Sequence, residues 1–437
     1  MRANYFKSIF GFTTFGESHG KAMGVVIEDV KPNIEFPFKK IQKALNQRKP
    51  GKNELSSSRK EADKFEVLSG VFEGKTTGMP LCIVVYNTDA RSKDYQKIMN
   101  VFRPGHADYS YFKKFKIYDY RGGGRASGRE TIARVIAGEL VDHLLKDIKI
   151  NIITTRIGRF KADKSDKTFT ERNPFNWPDK NNYDELKHYL DKIKTEKDSV
   201  GGILEVKISN LRAGLGDPVF EKLDANLAKA VMSIGAIKGI EFGQGFQLAK
   251  LKGSEANDQL NPDGFLNNKQ GGILGGISNG EDVIFRIVVK PTPSIGKKQD
   301  TINKKGQSRT IKISGRHDTC IITRIIPVVI SMIKLVLADA IQYQNLMEAR
   351  NTDSISNLRE AIDKIDEDIL ASLYKRQQLS HSIGSIKRKK SIPLEDLSRE
   401  REIIKNLQNK ANTLKLDKDF IKTIWQNILK NSKDSQC

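Results

Sequence analysis

Residues 120–131 read Tyr120-Arg-Gly-Gly-Gly-Arg125-Ala-Ser127-Gly-Arg129-Glu130-Thr131. Three consecutive glycines place this part of the chain in a loop. Ser127 followed three residues later by Glu130 has the form of a capping box. Ile132, Val135, Ile136, Glu139 and Leu140 continue at helical spacing, so a helix is expected over Arg129–Leu145. A Gly-rich loop thus feeds a helix N-terminus, whose free N–H groups and dipole suit an anion. Arg125, Arg129 and Arg134 crowd the same end with positive charge, which opposes stability there. A phosphate or carboxylate seated at that end explains the crowding; a Gly-rich turn with solvated arginines is the alternative.

Around this stretch, residues 1–345 alternate strand-like and helix-like patterns with many Gly punctuators. Leu81–Tyr86 and Val283–Val289 read as strands, the second through alternation of Val283, Phe285, Ile287 and Val289. Ile322–Tyr343 reads as a helix. Lys161–Lys197 is polar and charged and is expected as a surface insertion. The texture changes near residue 350, after which Gly384 is the only glycine. Ile355, Leu358, Ile362, Ile365, Ile369 and Leu373 then step by three or four, predicting one helix from about 355 to about 389. Such a helix spans roughly 50 Å, too long to be covered by one small module alone. Pro393 ends this region, a second helix follows near 395–411, and Asp417 is a plausible N-cap for a third. The expected organisation is a domain over 1–345, a linker over 346–353 and a helical domain over 354–437.

The chain has 437 residues, three cysteines and a net charge of +22. Its length suits two domains. Cys82, Cys320 and Cys437 are too few and too scattered for a disulfide framework or a zinc pattern, so a reducing cytoplasm is the simplest setting. No membrane span or signal peptide is expected. The charge fits either nucleic acid or small polyanionic substrates. Residues 354–437 hold 17 basic against 12 acidic side chains, and the remaining excess is spread along the chain. A nucleic-acid module gathers its charge on one helix or interleaves it with aromatics. This sequence does neither, so no nucleic-acid partner is expected.

Two of the six histidines, His19 and His106, sit in Gly-flanked loops without apolar periodicity, where an imidazole suits proton transfer. His317 follows in Ser314-Gly-Arg316-His317-Asp318-Thr-Cys320. In the helical part, Arg376 and Lys387 fall on the apolar stripe of the long helix, with Arg359 at its edge. Unpartnered cations facing a core are costly, so an anion inside it is implied. Glu400 falls on the inner face of the second helix and Ser432 on that of the third, with Gln436 one turn further. Together these positions outline one polar pocket; a hairpin with snorkelling basic residues is the alternative.

Six ordered segments resemble chorismate synthase: Gly16-Glu-Ser-His-Gly20, Arg103-Pro-Gly-His-Ala-Asp108, Arg121-Gly-Gly-Gly-Arg125, Gly271-Gly-Ile-Leu-Gly-Gly-Ile-Ser278, Lys290-Pro-Thr292 and Gly315-Arg-His-Asp318. The likeness covers about residues 1–345 and implies an α+β fold, a β-α-β sandwich. It implies a 1,4-anti elimination of phosphate from 5-enolpyruvylshikimate 3-phosphate, dependent on reduced FMN that is not consumed overall. By resemblance His19 protonates the leaving phosphate, His106 protonates or neutralises the reduced flavin, and Asp318 assists at flavin N5. Arg48, Arg103, Arg129 and Arg316 bind phosphate and carboxylates. The flavin contacts map to Arg125, Ala126, Ser127, Gly235, Ala236, Gly275, Lys290, Thr292, Ser294 and Arg316. Glu54 stands where the family often has an arginine linked to NADPH or substrate binding. That substitution argues against a built-in NADPH-dependent flavin reductase and leaves the reductant open. Thr319 and Pro293 are further departures, both tolerable.

The remaining residues are similar to the all-helical chorismate mutases. Leu358-Arg359-Glu360-x-Ile362-x-x-Ile365-Asp366, Lys375-Arg376, Lys387 and Asp396-Leu-Ser-Arg399-Glu400-Arg401 keep that family's order, and Ser432 and Gln436 fall at its spacing. The likeness covers roughly 354–437 and implies a small all-α domain that rearranges chorismate to prephenate. By resemblance Arg359, Arg376 and Arg399 hold carboxylates and backbone contacts. Lys387 and Gln436 hydrogen-bond the ether oxygen, and Glu400 and Asp396 take the hydroxyl side, with Ser432 as a further substrate contact. Two chains of that family interlace their long first helices, with Arg359 supplied by the partner, so a homodimer through this domain is implied, and a tetramer through the first domain. The alternative is a synthase whose tail is a non-catalytic dimerisation or regulatory module.

Overall fold

The computed structural model describes residues 4–6, 11–49, 62–88, 96, 98–313, 318–351, 355–393, 395–413 and 416–434. Two units result, Met1–Leu346 and Met347–Cys437.

The first unit holds two five-stranded antiparallel sheets. One comprises β1 (Tyr5–Phe6), β2 (Phe12–Gly16), β3 (Ala22–Ile27), β4 (Phe65–Ser69) and β5 (Leu81–Tyr86), in the order β1-β2-β3-β5-β4. The other comprises β6 (Lys149–Ile157), β7 (Phe160–Lys161), β8 (Gly202–Ser209), β9 (Ile237–Phe242) and β10 (Val283–Val289), in the order β9-β10-β8-β6-β7. The alternation expected of Val283–Val289 is realised: Val283, Phe285, Ile287 and Val289 are buried on one face. Beside them on the neighbouring strand β8, Leu204, Val206 and Ile208 pair with Ile287, Phe285 and Val283 and extend the same buried face.

Helices complete this unit: α1 (Phe38–Arg48), α2 (Asp108–Phe115), α3 (Thr131–Leu140), α4 (Lys167–Arg172), α5 (Tyr183–Thr195), α6 (Leu223–Met232) and α7 (Ile322–Asn351). Both α3 and α7 are apolar around much of their circumference and belong inside. A Cβ at Gly138 of α3 would collide with Ser331 of α7, so glycine is what lets the two helices approach. By length and composition α7 could cross a membrane, but 67% of its most apolar stretch is buried in the fold. The expected linker is helical through Asn351, because α7 runs eight residues beyond Tyr343. Nor is the expected surface insertion purely polar. It contributes Phe175, Trp177, Leu186 and Leu190 to the core, and truncating Trp177 to Ala would cost ~3–5 kcal/mol.

The second unit comprises α8 (Ile355–Lys389), α9 (Leu397–Thr413) and α10 (Lys418–Asp434). Asp417 caps α10, accepting from Phe420 N at 2.6 Å, and Asp396 caps α9, accepting from Arg399 N at 2.9 Å. Ala411 and Leu429 are its buried apolar residues among those described. Ile362, Ile365, Ile369, Leu373 and Ile383 of α8 are exposed in the single chain.

Candidate active site

In the first unit a cavity of about 910 Å³ opens where the loops after β2, before β9 and after β10, the end of α1 and the Arg103–Asp108 segment meet the start of α3. Its wall includes His19, His106, Asp318, Arg48, Arg103, Arg125, Ala126, Ser127, Arg129, Gly235, Ala236, Lys290, Thr292 and Ser294. These are the expected residues, gathered from segments up to three hundred positions apart. Gly275, expected at the flavin, lies in the Ile273–Ser278 hairpin and is not on this wall. Arg316, His317 and Glu54 lie outside the described residues.

Each histidine is held by a hydroxyl. Ser18 Oγ, on a fully buried residue, is 3.1 Å from His19 Nδ1. His106 Nε2 is 2.7 Å from Ser294 Oγ. A Cβ at Gly122 would collide with the His19 ring, which gives the triple-Gly loop a steric reason. Gly105 likewise lies against Pro293 and brings the His106 loop beside Lys290, whose Nζ donates to Gly105 O at 2.8 Å. Burial, then the neighbouring Lys238, lowers the Lys290 ammonium below its ordinary range. Ala236 has φ of 77°, an uncommon left-handed geometry for a residue with a Cβ. Its carbonyl accepts from Lys290 N at 2.9 Å, tying this loop to the end of β10.

Arginines are oriented by carboxylates. Arg103 donates from Nε and Nη2 to the two oxygens of Asp108, both at 2.7 Å, and both residues are buried. Removing one partner of such a pair costs ~3–5 kcal/mol, because a buried charge is left behind. Arg48 Nη2 donates to Asp63 Oδ2 at 2.6 Å, and Arg129 Nη1 to Asp63 Oδ1 at 3.0 Å. Burial lowers the Arg48 guanidinium to about 10; Asp63 opposes the shift, whereas Arg324 and Arg129 add to it. Burial also acts to raise Asp63, but its two guanidinium partners outweigh that and hold it below the usual carboxylate range. Arg324, not singled out in the sequence, ion-pairs with Asp318 and donates from Nε to Arg48 O at 3.4 Å.

The start of α3 corrects the capping-box expectation. Glu130 does not reach back to Ser127: it accepts from Thr14 Oγ1 at 3.0 Å and from Arg134 Nε at 2.8 Å. Residues Gly128–Glu130 form a 3₁₀ turn, and Ser127 Oγ accepts from Arg129 N at 3.4 Å. Arg125 donates to the carbonyls of Thr14 and Gly16, both at 3.2 Å, and lies 3.8 Å from Glu130. The crowding of arginines is therefore relieved partly by Glu130 and Asp63 rather than wholly by a ligand. Even so, eight Arg and Lys side chains line the cavity against three carboxylates, among the described residues.

Cys320 follows Asp318 by two residues and forms a parallel bridge with Val200. It is 2% exposed, and burial pushes its thiol up to about 12.

In the second unit, Arg376 is half-buried and hydrogen-bonds Ser432 Oγ, which itself donates to Ile428 O at 2.8 Å. Glu400 is 3.3 Å from Lys433 Nζ, which also meets Glu395 at 3.0 Å. Lys433 was not foreseen, since it falls one position past the pattern residue Ser432. Lys387 is half-buried, not enclosed. Arg359 is exposed, and Arg399 pairs with Glu402 at 2.6 Å on the surface. Three cations buried in one core, as the helical stripe suggested, are thus not what a single chain presents. Asp396 serves as a cap, and Gln436 lies outside the described residues. No cluster of three or more His, Cys, Asp or Glu suited to a metal occurs among the described residues.

The comparisons with known proteins agree with this division. The family model of chorismate synthase matches residues 10–342, and that of chorismate mutase type II matches 358–437. A chorismate synthase of Lachnospira eligens is 47% identical over 349 residues, covering 78% of this chain and 95% of the relative. That of Methanocaldococcus jannaschii is 47% identical over 361 residues, covering 77% and 95%. A crystal structure of chorismate synthase superposes with a TM-score of 0.59 at 28% identity, covering 82% of this chain and 97% of the other. Family, fold and cavity converge: the chain belongs to the chorismate synthase family, carries a chorismate mutase type II domain behind it, and is a bifunctional enzyme of the aromatic pathway.

Proposed function

We propose that the first-unit cavity performs the elimination of phosphate from 5-enolpyruvylshikimate 3-phosphate with FMN as the reduced flavin, and that the helical unit converts the chorismate to prephenate. The observation that carries the reading is the wall itself: two hydroxyl-held imidazoles and a carboxylate in a cavity whose cations outnumber its carboxylates eight to three. A site for two polyanions needs that surplus. The cavity also fits a flavin by its donors. Lys290 and Thr292, with the Gly235–Ala236 loop and the Arg125–Ser127 turn, would hold it. When bound, reduced flavin supplies electron density to the substrate ring.

The chain's own residues account for the protons and charges. His19 gives a proton to the leaving phosphate oxygen as the C–O bond breaks. His106, fixed by Ser294, holds positive charge opposite the cofactor. Asp318, clamped by Arg324, is the carboxylate that would assist at the flavin nitrogen. Arg48, Arg103 and Arg129 hold the phosphate and carboxylates, a role suited to guanidinium geometry. In the helical unit no covalent step is needed. Arg376 and Lys387 would fix the compact conformer and stabilise charge on the breaking ether oxygen. The exposed apolar stripe of α8 supports a homodimer through this unit, in which Arg359 reaches the other chain's pocket. Free thiols at Cys82 and Cys320 fit the expected cytoplasmic setting.

Anaerobic incubation of the pure protein with 5-enolpyruvylshikimate 3-phosphate and reduced FMN tests both halves at once. Phosphate and prephenate should appear in equal amounts. Phosphate with accumulating chorismate would leave the tail as a non-catalytic module, and no phosphate would defeat the synthase assignment.

A further inference from the structure

Asp63 does not line the cavity, yet it touches two side chains that do. Its carboxylate is fully buried and splits between them, with Oδ2 on Arg48 at 2.6 Å and Oδ1 on Arg129 at 3.0 Å. Each guanidinium has a second anchor. Arg48 Nη1 reaches Gly128 O at 3.2 Å, and Arg129 Nε reaches Asn87 Oδ1 at 2.9 Å. With those contacts made, buried Arg48 Nε still has no hydrogen-bond partner among the described residues. An unmatched buried donor at a cavity wall is costly unless a ligand oxygen meets it.

The backbone carries the same message. Asp63 has φ of 46°, a left-handed conformation that Asp and Asn tolerate better than other side chains. Strain of this kind persists where the surroundings over-determine it, commonly at functional sites. Gln42 Nε2 donates to Asp63 O at 3.3 Å and secures the turn to α1, the helix that ends on Arg48.

We infer that Asp63 is a positioning residue of the synthase site, a carboxylate clamp that holds Arg48 and Arg129 side by side as one receptor for an anionic oxygen group of the substrate. The inference rests on the synthase reading of the cavity. It makes a sign prediction that simple charge counting does not. Removing a negative charge behind two anion-binding arginines should tighten anion binding if charge alone matters. If Asp63 acts by positioning, the same change should weaken it.

Asp63→Asn is the variant of choice, since it keeps the shape and the tolerance for the left-handed backbone. Steady-state kinetics with saturating reduced FMN should show KM for 5-enolpyruvylshikimate 3-phosphate rising about tenfold or more, the scale of a small misplacement of binding groups. The rise in KM should exceed the fall in kcat. Titration calorimetry with inorganic phosphate should show weaker binding by a similar factor. An unchanged or lowered KM together with unchanged or tighter phosphate binding overturns the clamp. If Asp63→Asn does not fold, Asp63→Glu, which keeps the charge but lengthens the arm, is measured in the same two ways. Failure of both variants to fold also overturns the inference, because Asp63 would then serve the scaffold. Wild-type protein that binds phosphate but releases none from substrate defeats the synthase reading, and calorimetry then judges the clamp alone.

Discussion

The two units meet the same physical problem, holding arginine beside an anion, in opposite ways. In Met1–Leu346 the key guanidiniums are deep. Arg48, Arg103 and Arg129 are each less than 5% exposed, and each is fixed by a carboxylate of the same chain. In Met347–Cys437 the corresponding cations are half-buried or exposed, and the longest helix shows its apolar stripe to solvent. A unit of more than three hundred residues can enclose a site in its own core. One of about ninety has too little interior to do so. The difference teaches that the described cations of the first site are held by carboxylates of their own chain, whereas the second site is expected to be finished by another copy.

The hardest blow to this contrast is expected from His106→Ala. Synthase turnover should fall by about 10²-fold or more, the scale of a lost general acid, with mutase turnover on added chorismate unchanged. Phosphate release near the wild-type rate under saturating reduced FMN would remove His106 from the chemistry. Lys387→Met tests the other side. Mutase turnover should drop by about 10²-fold, as for a lost preorganised donor, and synthase turnover should hold. Because Lys387 is only half-buried, the melting temperature should barely move; a large shift would mean the lysine supports the fold instead. The smallest effect is the sharpest for the comparison. Co-expression of Arg359→Ala with Arg376→Ala chains should restore about a quarter of wild-type mutase turnover. Random pairing makes about half the dimers mixed, and one pocket in each then has both arginines. Confirmed mixed dimers without recovered turnover would place the second site within a single chain after all. The same experiment on the synthase, pairing His19→Ala with His106→Ala, should restore nothing.

Much of the first site was legible because its residues sit in loop motifs whose spacing survives without knowledge of the fold. The glycines at 122–124 marked a loop in the sequence; that the His19 ring packs against Gly122 came only from the structure. Long-range partnerships were not legible. Asp63 meets Arg129 across 66 positions, and Thr14 meets Glu130 across 116. These contacts are made by tertiary packing, which no local pattern encodes. The capping box failed for that reason: Thr14 and Arg134 offered Glu130 stronger partners than the backbone of Ser127. In the helical unit, periodicity located α8 to within a residue or two of its observed ends. It could not say which stripe positions a single chain would cover. The apolar periodicity is real, yet Ile365 and Ile369 are exposed in the single chain.

Burial of Cys320 has a practical consequence for chemical probing. With burial pushing the thiol up to about 12, the reactive thiolate is strongly disfavoured at pH 7. Alkylating agents and mild oxidants therefore find nothing to attack at this position while the fold is closed, although it lies two residues from Asp318. Modification there becomes a clock for transient opening of that stretch, and the rate at which label accumulates measures how often the wall behind Asp318 comes apart.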